Sequence, residues 1–169
     1  KAVQLINEGQ GDFLMKGLVT TDKYMRGILN KDCGLLPPKA VLSHVVVLEV
    51  PSYHKLLVLG DVAIIPAPDF KQKLAIVNYV VRAARTLGVE MPKVALLAAT
   101  EQMSVGMQAC VDAALIAKMG ERGQISGAVL DGPLALDVAI DKEAAEIKKL
   151  RSEVAGDADC LVFPNIESG

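Results

Sequence analysis

The chain has 169 residues, 51% of them hydrophobic and 4% aromatic, with a net charge of −2. That length suits one ordinary domain, or one domain plus a piece of another. No stripe of Lys and Arg interleaves with aromatics, which argues against a nucleic-acid partner. The longest apolar runs, such as Val45–Leu48 and Val94–Ala99, are far too short to span a bilayer, and nothing at the N-terminus resembles a signal peptide.

Lys1–Glu8 reads as a helix with no cap residue before it, and Gly9 stops it as a C′ residue. A chain that opens inside a helix reads as a fragment, and Gly169 is an equally abrupt end. Phe13–Met15 is expected to be a short strand that runs through Lys16-Gly17 into a helix over Asp22–Leu29. Lys31–Ala40, with Pro37-Pro38, breaks both helix and strand and marks a domain boundary. The expected division is therefore 1–40 and 41–169.

Ser43–Val50 and Lys55–Leu59 are β-rich runs. The short gap between them favours an antiparallel hairpin over a crossover. Asp69–Leu87 carries Leu74, Val77, Val80, Val81 and Ala84 at helical spacing, with Gly88 as its stop. Val94–Ala98 is a buried strand, Gln108–Met119 a helix, Gly127–Asp131 a strand, Leu136–Leu150 a helix and Cys160–Phe163 a last strand. Strands alternating with helices predict an α/β protein with three layers, and the hairpin makes its sheet mixed.

Lys16, Gly17, Thr20, Thr21 and Arg26 form an anion-binding constellation. A helix start offers unpaired N–H groups and a positive dipole end, and a guanidinium forks onto phosphate. The plainer reading makes Thr21 an N-cap and Asp22–Arg26 an i,i+4 surface pair, and both readings stand. Asp131-Gly132-Pro133 and Asp137 either line a cleft at the carboxyl end of a strand or form a turn and decorate a helix start, and spacing alone favours the latter. Ser43 and His44 are not a catalytic pair, because neighbours on a strand point to opposite faces. A satisfied, half-buried His44 is the expectation. Asp61 ends a strand and faces a cleft or closes a turn. His54 in the hairpin turn is expected to be solvated. Cys33, Cys110 and Cys160 have no metal-ligand spacing and read as free thiols of a reducing cytosol, so no metal is expected; separately, no permanently bound cofactor is expected.

Taken together, these segments resemble the phosphate acetyl/butyryl transferases, and the butyryl branch most closely. The matching stretches are Met15-Lys16-Gly17-Leu18-Val19 with Thr21 and Arg26, Leu42-Ser43-His44-Val45, Arg122-Gly123-Gln124-Ile125, and Asp131-Gly132-Pro133-Leu134-Ala135-Leu136-Asp137. Val154-Ala155-Gly156-Asp157-Ala158-Asp159 and Pro164-Asn165-Ile166-Glu167-Ser168-Gly169 complete the set. The resemblance implies an isocitrate/isopropylmalate dehydrogenase-like fold, with residues 1–40 ending a split first domain and 41–169 forming most of a second. It implies conversion of acyl-CoA and phosphate into acyl phosphate and CoA, by direct attack of the CoA thiolate in a ternary complex. CoA is then a substrate, and a cytoplasmic homodimer is expected. Arg26 would bind the phosphate end of the substrates, Lys16, Gly17, Thr20 and Thr21 would line the same pocket, and Asp131 and Asp137 would lie at the cleft. The family's Ser-Arg pair and a following Asp lie beyond Gly169, so this stretch alone is not expected to turn over.

The chain departs from the family pattern inside the covered region. Leu36-Pro37 stands for Arg-Thr, Gly60 for a Thr, Ile65 for an Asn, and Ser104-Val105-Gly106-Met107-Gln108-Ala109-Cys110 for a more polar run. These losses keep open a non-catalytic or regulatory member that binds an anionic ligand. A nicotinamide-dependent oxidoreductase is the remaining alternative, and no Gly-x-Gly-x-x-Gly fingerprint supports it.

Overall fold

A computed structural model describes all 169 residues. The chain divides into two compact units, Lys1–Leu42 and Ser43–Gly169. The first unit holds α1 (Ala2–Asn7) and α2 (Thr21–Ile28). Gly9 ends α1 at φ +71°, with Gly9 N–H on Ile6 O and Gln10 N–H on Leu5 O. That is the paired-bond stop expected of a C′ glycine.

Phe13–Met15 is not a strand, contrary to expectation. A strand needs a neighbour to take its backbone groups, and this unit contains no sheet. Phe13, Met15 and Leu18 stay exposed, and the segment is tied down by Tyr24 Oη donating to Leu14 O at 3.1 Å.

The second unit contains β1 (Val45–Leu48), β2 (Leu57–Gly60), α3 (Phe70–Thr86), β3 (Lys93–Leu97), α4 (Gln108–Glu121), β4 (Val129–Leu134), α5 (Leu136–Ile140), α6 (Lys142–Ile147) and β5 (Cys160–Val162). Its sheet runs β1-β2-β5-β3-β4, with β1 antiparallel to β2 and the other pairs parallel. The hairpin register is Val45↔Gly60 through Leu48↔Leu57. The mixed sheet and the hairpin agree with the sequence reading.

The strands alternate in which helices they meet. Leu57, Leu59, Ala95, Leu97, Leu161 and Phe163 pack with Val138 and Ala139 of α5 and Ala145 of α6. The intervening residues face α3 and α4, as Gly60 does toward Ile76 and Val80. Helices therefore cover both faces, which completes the three layers and explains why these strands read as unbroken apolar runs.

α3 begins at a reciprocal cap. Asp69 Oδ1 accepts from Gln72 N–H at 2.7 Å, and Gln72 Oε1 accepts from Asp69 N–H at 2.8 Å. It ends as Gly88 turns to φ +95° and bonds Arg85 O, with Val89 N–H on Ala84 O.

Two sequence expectations need correction. Leu136–Leu150 is two helices, because Asp141 adopts extended backbone and accepts from Glu143 N–H, capping α6. A short carboxylate competes for backbone donors in this way and favours a helix start over a helix interior. The second correction concerns β4, which runs through Asp131-Gly132-Pro133 instead of ending there. The proline is tolerated because β4 is an edge strand.

A Cβ at Gly132 would lie 2.7 Å from Leu96 Cβ and 2.8 Å from Leu96 O. Neither atom can move without moving β3. Gly132→Ala is expected to destabilise the full-length protein by about 1–3 kcal/mol, read as a lower urea midpoint.

Candidate functional site

The parallel strands β2, β5 and β3 share a carboxyl edge, where ligands collect in open α/β sheets. Antiparallel pairing brings the start of β1 to the same edge, so Ser43 and His44 sit beside Asp61. Asp61 is 2% exposed. Its Oδ1 accepts from Ala63 N–H at 2.8 Å and Ile64 N–H at 2.9 Å, and its Oδ2 accepts from His44 N–H at 3.2 Å. This carboxylate closes the turn after β2 and fastens the entry of β1 to it.

Ser43 and His44 are less settled. Ser43 Oγ and His44 Nδ1 are buried without a hydrogen-bond partner. The expected satisfied histidine is therefore satisfied only through its backbone. The Pro164–Gly169 loop also reaches this edge. Ile166 N–H bonds Pro66 O at 3.0 Å, and Gly169 lies against Val62 and Asp61 O. Ser168 folds back on Asn165, its N–H on Oδ1 at 3.0 Å.

Beneath the edge lies a pair that the sequence reading missed. Lys73 Nζ bonds Asp112 Oδ2 at 2.7 Å between α3 and α4, and Gln108 Nε2 donates to Asp112 Oδ1 at 2.7 Å. Both ions are buried, next to Leu97 at the end of β3 and to Phe163 and Pro164 just past β5. A signal was available: Lys73, Ile76, Val77 and Val80 follow helical spacing, which puts Lys73 on the buried face.

Asp131 and Gly132 do not reach this edge. Asp131 is paired with Ala95 in mid-strand, and its Oδ1 accepts from Gly132 N–H at 2.8 Å. The two residues line a groove of about 780 Å³ along the outer side of β4, together with Lys118, Arg151 and Glu153. Asp137 is in the first turn of α5, 3.4 Å from Lys148, which also meets Glu101 at 3.1 Å.

Lys16, Gly17, Thr20, Thr21 and Arg26 all lie exposed in the first unit. Thr20, not Thr21, is the N-cap of α2, and its side chain makes no capping bond. Arg26 grips Asp22, Nη2 to Oδ2 at 3.0 Å, with its side chain 79% exposed. No hydrogen bond joins Lys16 to Arg26, and Arg26 is held one turn from the helix start by its own i,i+4 partner.

The opposite, amino edge carries the densest ionic cluster. Asp157 meets Lys93 Nζ at 2.6 Å, His54 Nε2 at 2.8 Å and Lys55 Nζ at 2.9 Å. Lys55 also meets Asp159 at 2.9 Å, and Tyr53 Oη donates to Ala158 O at 2.7 Å. His54 is thus exposed but paired, not simply solvated. Burial pushes the Tyr53 hydroxyl up to about 12, helped by the Asp157 and Asp159 charges. Burial also pulls the Asp157 carboxyl upward, but the hydrogen bonds from Lys93, Lys55 and His54 overcome it and hold the group below the usual carboxylate range. A hollow of about 1010 Å³ lies here and is lined by His54, Lys93, Asp141, Lys142 and Gly156. Its central charges are already spent on one another. Gly156, at φ +74°, lets the chain pass close to Lys142.

Cys110 and Cys160 are buried packing residues, and burial pushes the Cys160 thiol up to about 12. Cys33 is exposed. No helix is long and apolar enough to cross a membrane.

With this geometry in place, the chain belongs to the phosphate acetyl/butaryl transferase family, whose pattern it matches over residues 1–169. It is 48% identical to a phosphate butyryltransferase of Clostridium acetobutylicum over 169 residues, which is all of this chain and 56% of that protein. It is 44% identical to a phosphate acetyltransferase of Rhizobium meliloti, again over the whole chain and 53% of that protein. In structure it is similar to a branched-chain phosphotransacylase from Enterococcus faecalis, with a TM-score of 0.88 and 34% identity over 99% of this chain and 59% of that one. The chain thus spans about half the length of the curated relatives it matches.

Two stability experiments probe the ionic groups. Asp112→Ala strands the buried Lys73 charge and is expected to cost about 3–5 kcal/mol, much of it recovered by the apolar double variant Lys73→Met/Asp112→Leu. Urea unfolding of the full-length protein compares them. Asp157 is depressed in the folded state, so the unfolded chain takes up its proton first. Its contribution is complete above the ordinary value near 3.8 and is lost as pH falls below it. Asp157→Asn should flatten the acid limb of a stability–pH curve.

Proposed function

We propose that the full-length protein is a phosphate acyltransferase that interconverts a short-chain acyl-CoA plus phosphate with an acyl phosphate plus CoA. The observation that carries this reading is the match of residues 1–169 to the family and the 48% identity to a phosphate butyryltransferase over the whole of this chain. The protein's task in this reaction is positioning and charge neutralisation. The CoA thiolate attacks the acyl phosphate carbonyl directly, so no protein nucleophile is needed, and residues 1–169 contain no nucleophile–base pair. The Ser-Arg pair and the aspartate that the family resemblance implies belong to chain outside residues 1–169, and this stretch by itself is inactive.

Lys16, Gly17, Thr20, Thr21 and Arg26 are assigned to the phosphate end of the substrates. Arg26 is free to serve there because an exposed ion pair such as Asp22–Arg26 is worth at most about 1 kcal/mol. A doubly charged phosphate oxyanion accepting from the guanidinium makes a stronger, charge-assisted bond. Ser43, His44 and Asp61 are assigned to the cleft. Asp131, Gly132 and Asp137 stay candidate cleft residues on motif position, with mid-strand and helix-start geometry against them. The protein acts as a cytosolic homodimer with CoA as substrate and no resident cofactor.

The regulatory alternative draws on the altered residues Gly60, Ile65 and Gly106, and predicts ligand-induced thermal stabilisation without turnover. Full-length protein should release free CoA thiol from butyryl-CoA only when phosphate is supplied. No phosphate-dependent release across several acyl-CoAs refutes the enzyme reading. Arg26→Ala should raise the phosphate KM about tenfold or more, as expected for losing a charge-assisted bond; an unchanged phosphate dependence removes Arg26 from the site.

A further inference from the structure

Two neighbouring residues leave polar atoms buried and unpartnered at the carboxyl edge, Ser43 Oγ and His44 Nδ1. Beside them, Asp61 spends its carboxylate on three backbone N–H groups. Burying a donor with no acceptor is costly. A neutral imidazole carries its proton on one ring nitrogen and a lone pair on the other. Orphaned buried N–H groups are rarer than under-satisfied buried acceptors, so Nδ1 is assigned the lone pair and Nε2 the proton. Nε2 makes no bond within the chain and is not among the buried atoms, so it is open to an incoming group. In this tautomer the open nitrogen donates a hydrogen bond and has no lone pair with which to take a proton.

The surroundings select the acceptor. The Asp61 carboxylate lies against the His44 backbone, Oδ2 to N at 3.2 Å. The cation buried beneath the edge, Lys73, is neutralised by Asp112. A full anion such as phosphate meets like charge at this point, whereas a carbonyl oxygen accepts without bringing charge. We propose that His44 donates from Nε2 to a carbonyl oxygen of the acyl-CoA, with the Ser43 hydroxyl as a rotatable second partner. This rests on the acyltransferase reading above and adds to it the part of the substrate that meets this edge. The carbonyl is that of the thioester or of an amide in the CoA arm.

Ring-nitrogen NMR of the full-length protein tests it, with the His44 signals assigned by their loss in His44→Gln. The proton is expected on Nε2, and the signal is expected to move on adding butyryl-CoA. A shift with butyryl-CoA but not with CoA identifies the thioester carbonyl, and a shift with both identifies an amide; either supports the proposal. A proton on Nδ1, or no shift in a protein that turns over butyryl-CoA, overturns it. In kinetics, His44→Gln can donate from a similar place and should recover part of the kcat/KM for butyryl-CoA that the alanine variant loses. His44→Ala should lower it about tenfold with the phosphate KM unchanged. A raised phosphate KM with an unchanged kcat/KM for butyryl-CoA overturns the carbonyl assignment. Wild-type protein with no phosphate-dependent thiol release sinks the acyltransferase reading instead, and the position of the ring proton still decides the tautomer.

Discussion

Burial of β2, β5 and β3 on both faces governs where chemistry can occur in the second unit. Their residues alternate between the α5–α6 layer and the α3–α4 layer, and neither side meets water. A charged side chain cannot sit in such a strand without a partner. The buried charged residues obey this: Asp61 and Asp159 flank strands at opposite edges, and Lys73 and Asp112 neutralise each other between helices. Polar function is confined to the two ends of the sheet.

The two ends use their polar groups differently. At the amino edge, Asp157 and Asp159 are met by Lys55, Lys93 and His54, and even the Tyr53 hydroxyl is committed to Ala158 O. This clamp joins the starts of β2, β3 and β5, which accounts for its position without any ligand. The carboxyl edge binds its one buried carboxylate into a turn but leaves Ser43 Oγ and His44 Nδ1 unpaired. The hollow of about 1010 Å³ is at the satisfied end. Volume and unmet hydrogen-bonding demand therefore point to opposite ends, and the unmet demand agrees with the general location of ligands at carboxyl ends.

The legible part of the sequence was the part written in local periodicity and punctuation. α3 was readable because its apolar residues repeat at helical spacing between Asp69 and Gly88, and both ends use side-chain or glycine chemistry that is local to the chain. The hairpin was readable from the short gap after Val50. Phe13–Met15 failed because three apolar residues cannot announce whether a pairing partner exists. The Leu136–Leu150 helix failed because Asp141 took a backbone donor for itself, and β4 ran on because an edge strand forgives Pro133. The ionic clusters at both ends were illegible for a different reason: Lys93 and Asp157, or Lys73 and Asp112, are brought together only by sheet order and helix packing. Ser43, His44 and Asp61 could be named as candidates, yet which atom lacks a partner is a property of the fold.

The departures from the family pattern can be weighed the same way. The sequence reading sets Gly60 against a threonine of the butyryl branch and expects a lost hydroxyl there. In this chain a Cβ at Gly60 would lie 2.8 Å from Val80 Cγ1 and 3.1 Å from Ile76 Cγ2, so the space is filled by α3 side chains. Ile65 is buried as part of the core, and Cys110 is buried in α4. At these three positions the space is taken up by packing in this chain. Gly106 differs, because it lies in an exposed turn where a Cβ would meet only Ser104 Oγ at 3.9 Å. The regulatory alternative therefore draws its physical support from the loop before α4 alone. That loop enters α4, whose first turns carry Asp112, the partner of Lys73, and Gln108, which donates to Asp112. The loop is exposed where the pair it leads into is buried, so a difference confined to the loop would leave the platform beneath the carboxyl edge in place.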